Sequence, residues 1–172
     1  MPSAEMPPEG SGCERHAGDP PLVIRVGSPL PGRVVGLSGV PDPVFAEAIV
    51  GPGTAIDPPR LPTTAVAPLD GRIAKLHPHA FVLVGGDGRG VLVHLGIDTV
   101  QLAGEGFELL AHEGDDVHRG QPLVRWDPAA VERSGRSPIC PVVALDATPE
   151  MLSDVIDSGE VAALDPLFTW GG

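Results

Sequence analysis

The stretch HPHAFVLVGGDGRGVLVHLGIDTV, residues 77–100, decides how the fold is read. AFVLV from Ala80 and GVLVHL from Gly90 are short apolar runs of the kind that make half-buried strands. GGDGRG between them has the glycine content of a turn. Strand, turn and returning strand would set His79 and His94 on neighbouring strands, close to one another. Imidazoles in apolar surroundings are uncommon, because desolvation penalises the charged form. A lone histidine on a strand is more often a hydrogen-bonded core or surface residue, but converging pairs in such surroundings usually bind metal or do chemistry on their ring nitrogens. His77 joins them, since alternate residues of a strand share a face. His16, His112 and His118 fall in tail or polar hairpin sequence and read as ordinary polar groups.

Outward from this stretch the same cadence continues. LVIRV, GRVVGL, TAVAP, GRIAKL, PLVRW and the apolar run PICPVVAL each read as a strand, as does Pro166 to Trp170 at the end. Glycine and proline punctuate them, so the expected class is all-β: a compact antiparallel β-sandwich or barrel-like fold with a few short helices. One helix is expected from Asp127, a capping residue followed by Pro128. A second is expected from Thr148 and Pro149 on towards Ile156, by the same logic. Phe107 to Ala111 fits either element type. SPLPGRVVGL and APLDGRIAKL share the form small-Pro-Leu-x-Gly-Arg-apolar, which suggests duplicated halves.

The 172 residues are expected to form one domain over 21–171, preceded by a disordered tail over 1–20 rich in Pro, Gly and Glu. That tail has no signal-peptide layout, and no stretch is apolar enough for a membrane span. Apolar residues are ample for a core without disulfides. Cys13 lies in the tail and Cys140 in an apolar run, which fits a reducing, cytoplasmic setting. The net charge is −12, Lys75 is the single lysine, and the arginines are scattered. No basic stripe exists for nucleic acid; an acidic chain instead suits a basic protein partner, or simple solubility.

Three chemistries fit the histidines. Zinc would take His77, His79 and His94, with Asp98 four residues after His94, as in small peptidases of the lysostaphin type. In those enzymes His-x-x-x-Asp comes first, and here the order is reversed. Biotin or lipoate attachment is suggested by EGDDVHRGQPLVRW, but needs a lysine at a hairpin tip, and Lys75 lies inside GRIAKL. Phosphoryl transfer needs one neutral imidazole as nucleophile and a second to donate a hydrogen bond to the phosphoryl oxygens. It needs no nucleotide loop or metal, and neither GxxxxGK[ST] nor GxGxxG occurs.

Several motifs taken in order, SPLPGRVV, VPDPVFAEAIVGPGTAIDP, APLDGRI, HAF, VLVHLGIDTVQLAGEGF, EGDDVHRGQPLVRWD and SPICPVV, resemble the glucose-type enzyme IIA component (EIIA) of the bacterial phosphoenolpyruvate-dependent sugar phosphotransferase system. The resemblance runs from about Leu22 to Trp170. It implies that His94 is phosphorylated on Nε2, that His79 is needed for handing the group on, and that the Gly96 carbonyl holds the Nδ1–H of His94. It implies HPr as donor and a cysteine on the IIB domain of a sugar permease as acceptor. As an alternative, the resemblance allows mainly a regulatory binding protein whose phosphorylation state selects regulated transporters or kinases as partners, and it implies that zinc can bridge His79 and His94 within a partner complex. Taken alone, Val44, Phe45, Ile49 and Val100 read as ordinary core. The resemblance instead places them with Val50 and Leu92 in an apolar docking patch rimmed by Asp42 and Asp98. His77 stands where the enteric form carries a threonine. It either takes over a hydrogen bond, adds positive charge, or points away.

Overall fold

The computed structural model describes residues 23–171. The expected disordered tail, with Cys13 and His16, lies outside them. Strands β1 (Ile24–Gly27), β2 (Gly32–Val34), β3 (Gly53–Asp57), β4 (Thr63–Val66), β5 (Gly71–His77), β6 (Ala80–Val84) and β7 (Gly90–His94) are followed by β8 (Phe107–Leu109), β9 (Asp116–Val117), β10 (Pro122–Trp126), β11 (Cys140–Ala144), β12 (Leu152–Ser153), β13 (Glu160–Val161) and β14 (Pro166–Trp170). Helices α1 (Pro43–Ala46) and α2 (Pro128–Arg133) interrupt them. The strand pairs are antiparallel. They form one eight-stranded sheet, β13-β2-β3-β11-β7-β6-β5-β9, and two three-stranded sheets, β1-β14-β12 and β4-β10-β8. This is the all-β sandwich the punctuation predicted.

The duplication goes further than the two Pro-Leu motifs. EVAALDPLFTW (160–170) mirrors DVHRGQPLVRW (116–126). The large sheet reads the same from either end when β13, β2 and β3 are matched with β9, β5 and β6. Main-chain bonds obey the match: Gly27 N–H donates to Pro68 O, and Val66 N–H donates to Pro29 O, so each half closes on the other. His118 N–H donates to the Gln121 side chain, as Ala162 N–H does to Asp165. Gly120 and Leu164 are also equivalent, with φ of 93° and 73°. Gly120 suits this left-handed turn, whereas Leu164 adopts it at a steric cost.

The strand periodicity sorts side chains between two cores. Val91 and Val93 of β7 enter the main cluster with Phe81, Leu83, Val142 and Trp126. Leu92 points to the other face and packs against a smaller cluster of Val40, Phe45, Ala55, Ile97 and Val143. His94, two residues on from Leu92, shares that second face. Asp42 caps α1 by accepting from Val44 N–H at 2.9 Å, and Pro43 starts the helix. That short helix drops Phe45 onto the second cluster.

Two expectations need correction or completion. Thr148 makes no cap bond, and only a single 3-10 turn forms at Pro149–Met151. The chain then pairs with β14 as β12, Leu152 opposite Trp170. The free edge of β14 outcompetes the helix expected to run towards Ile156, and Asp154 at φ 53° departs from helical backbone. Phe107 to Leu109 resolves as a strand because β10 offers it a partner. The helix at Asp127 forms as expected, its carboxylate accepting from Ala129 N–H.

Candidate functional site

β6 and β7 pair Ala80 with His94, and Leu95 N–H donates to the His79 carbonyl at 2.7 Å. The ladder thus brings the two imidazoles together. Their ring centres lie 5.3 Å apart with the planes 60° from parallel. Phe45 meets the His94 ring edge-on at 5.5 Å.

His94 Nδ1–H donates to the Gly96 carbonyl at 2.5 Å. A carbonyl can only accept, so the proton sits on Nδ1 and the Nε2 lone pair is left free. Gly96 has φ 84°, and a Cβ there would lie 2.7 Å from Thr99 Cγ2 and 3.0 Å from Ser137 O. Thr99, fully buried, donates from Oγ1 to Leu95 O, and Ile97 N–H donates to Ser137 O. The turn that aims the Gly96 carbonyl is therefore held from both sides.

Burial pushes the His94 pKa down, against the opposing pull of the Gly96 bond and of the Asp42 and Asp98 carboxylates. His79 falls from 6.5 to about 4, first through desolvation and then through the neighbouring His94 and His77. Both rings are neutral at pH 7. His77 is exposed and its ring stacks on His79, centres 5.6 Å apart and planes within 18°. His112 is a surface group facing Asp115 at 3.7 Å, as its hairpin sequence indicated.

Around the pair, Val44 is 43% exposed, Ile49 67% and Val100 59%. The core reading of these three from their residue types fails: α1 turns Phe45 inward and the turn after β7 turns Ile97 and Thr99 inward, which leaves Val44, Ile49 and Val100 facing out. Val50 and Leu92 are half-buried against the second cluster. Asp42 is half-buried and Asp98 exposed. One supporting residue escaped sequence reasoning. Arg136 donates to Asp98 O at 3.2 Å and to Gln101 Oε1 at 2.8 Å, tying the loop beside the patch to the segment before β11. A lone arginine in a polar loop carries no pattern that would have found it.

Cys140 is buried and free, and burial raises its pKa, so it is no nucleophile. Among the described residues no group of three or more His, Cys, Asp or Glu could hold a metal. His79 and His94 fill at most two of the four positions of a tetrahedral zinc, so the donor set does not fit a resident metal. Chemically, the site offers a neutral imidazole with a free, oriented nitrogen, a second imidazole beside it, and an apolar surface with acids at its rim.

The phosphotransferase chemistry this permits agrees with what the chain is similar to. The model of the family described as phosphoenolpyruvate-dependent sugar phosphotransferase system, EIIA 1, matches residues 24–149. The glucose-specific EIIA component of Staphylococcus epidermidis is 39% identical over 122 residues, 70% of this chain and 72% of that one. Its Staphylococcus aureus counterpart is 37% identical over 140 residues, 80% of this chain and 83% of that one. The solved glucose permease IIA from Mycoplasma capricolum superposes with a TM-score of 0.79 at 31% identity, covering 86% of this chain and 96% of that one. By fold and family the protein is a phosphocarrier, a phosphotransferase component of sugar transport. It belongs to the glucose-type EIIA 1 family of the phosphoenolpyruvate-dependent sugar phosphotransferase system. Nothing in these similarities points to a zinc peptidase.

Proposed function

We propose that His94 is the residue that carries the phosphoryl group, taking it from the phosphohistidine of HPr and giving it to a cysteine on the IIB domain of a sugar permease. The observation that carries this reading is the Nδ1–H bond to Gly96, which leaves Nε2 as the one free nitrogen of a neutral ring. The His94 Nε2 lone pair attacks phosphorus and forms an N–P bond. The donor's N–P bond breaks, and its electron pair returns to the donor imidazole. In the second step a thiolate attacks phosphorus, and the N–P electron pair returns to Nε2. No proton need leave His94 in either step.

His79, neutral at pH 7, donates a ring N–H to the phosphoryl oxygens as charge develops there. Asp42 and Asp98 meet basic side chains of the partners, while Val44, Ile49 and Val100 exclude water between them. This exchange between proteins belongs in the cytoplasm, and no helix of the described residues is long and apolar enough to cross a membrane. Zinc has no step in it, and one bridging His79 and His94 would need further ligands from a partner.

His79→Gln separates acceptance from delivery. The variant is expected to take the phosphoryl group onto His94 yet pass it on about 100-fold more slowly. Delivery at the wild-type rate would remove His79 from the mechanism.

A further inference from the structure

His77 has no structural work to explain its place. It is exposed, lies outside both apolar clusters, and ends β5 at a two-residue turn with Pro78 and His79 at its apex. A ring at the apex of a hairpin ordinarily samples several rotamers. Here the rings form a row: His77 lies nearly parallel to His79, and His79 stands at 60° to His94. His77 lies against one face of His79, offset along it with centres 5.6 Å apart, and the His79 edge that carries the ring nitrogens stays available for other contacts. Stacked and edge-on ring pairs at such separations are the favoured aromatic arrangements. His77 is not placed as a metal ligand, because the described residues include no metal-holding group of three.

We propose that His77 is a positioning residue: its ring, stacked on His79, holds His79 at the angle from which its N–H reaches the phosphoryl group on His94. The inference rests on the phosphocarrier reading above and deepens it. It assigns His77 the work of a flat surface, so any aromatic ring should serve, and a hydrogen-bonding side chain without a ring should not.

The test compares wild type with His77→Phe, His77→Ala and His77→Gln, with His94→Ala as the unphosphorylatable control. Phosphoryl exchange is followed between the phosphorylated protein and the IIB domain of a sugar permease, the delivery step in which His79 acts, and ring orientation by the nuclear Overhauser contacts between His79 and His94. His77→Ala and His77→Gln are expected to exchange about tenfold more slowly and to lose a single His79 orientation, within the roughly 100-fold that a 1 Å misplacement costs. His77→Phe is expected to stay within about twofold of wild type and to keep the contact. Wild-type exchange in His77→Ala overturns the proposal, as does rescue by Gln with failure of Phe, which would make His77 a hydrogen-bond donor. A wild-type protein that takes no phosphoryl group at His94 would overturn the phosphocarrier reading and this proposal together. The first two outcomes overturn the proposal alone. Melting curves on the exposed-site variants confirm that each is folded.

Discussion

His94 can act as a nucleophile at neutral pH because burial outweighs the two carboxylates that would keep it charged. Initial rates of phosphoryl acceptance should therefore be flat from pH 8 down to about 6.5, the ordinary histidine value, and decline only below it as Nε2 takes a proton. His79 has a related consequence for stability. Its folded pKa of about 4 lies below its ordinary 6.5, so in acid the unfolded chain binds the proton first. The contribution is complete above pH 6.5 and is lost as pH falls towards 4. Urea midpoints should show that decline, and His79→Gln should flatten it. Phosphorylating His94 replaces a neutral neighbour with an anion, so the His79 titration followed by nuclear magnetic resonance should move upward in the phosphoprotein. Both histidines were legible in the sequence because each adjoins a strand-forming run. The Gly96 carbonyl was implied only by family likeness, since no pattern of residue types announces where a carbonyl will point.

At the scale of elements, the site depends on one hairpin and two short turns. Gly96→Ala places a Cβ 2.7 Å from Thr99 at φ 84°, so it is expected to cost about 2 kcal/mol and to slow phosphoryl acceptance by shifting the carbonyl. Chemical denaturation and adduct formation would check both. The β6–β7 hairpin was readable from alternation and its glycine turn. The helix expected after Thr148 was not correct, because pairing with β14 is a long-range contact that local capping residues do not register. The exposure of Val44, Ile49 and Val100 escaped for a similar reason: residue type reports what can be buried, and only the packing of neighbours decides what is. Half of the duplication was visible in the Pro-Leu motifs. The other half hides because Leu164 stands where its counterpart has Gly120. Gly120→Ala should be destabilising by about 1 kcal/mol in thermal melts, as the left-handed turn then loses the residue that suits it.

For the whole molecule, the net charge of −12 and the acidic rim give encounter with basic partners a long-range component. Association with HPr should slow severalfold as salt rises past roughly 0.1 M, and Asp42→Asn with Asp98→Asn should weaken that dependence. Surface plasmon resonance at several ionic strengths would read it. The most direct test is intact mass after incubation with phosphoenolpyruvate, enzyme I and HPr, for wild type and His94→Ala. Wild type is expected to gain one acid-labile adduct of about 80 Da, absent from the variant. A folded wild type without the adduct, or an adduct that persists in His94→Ala, would contradict the assignment of His94.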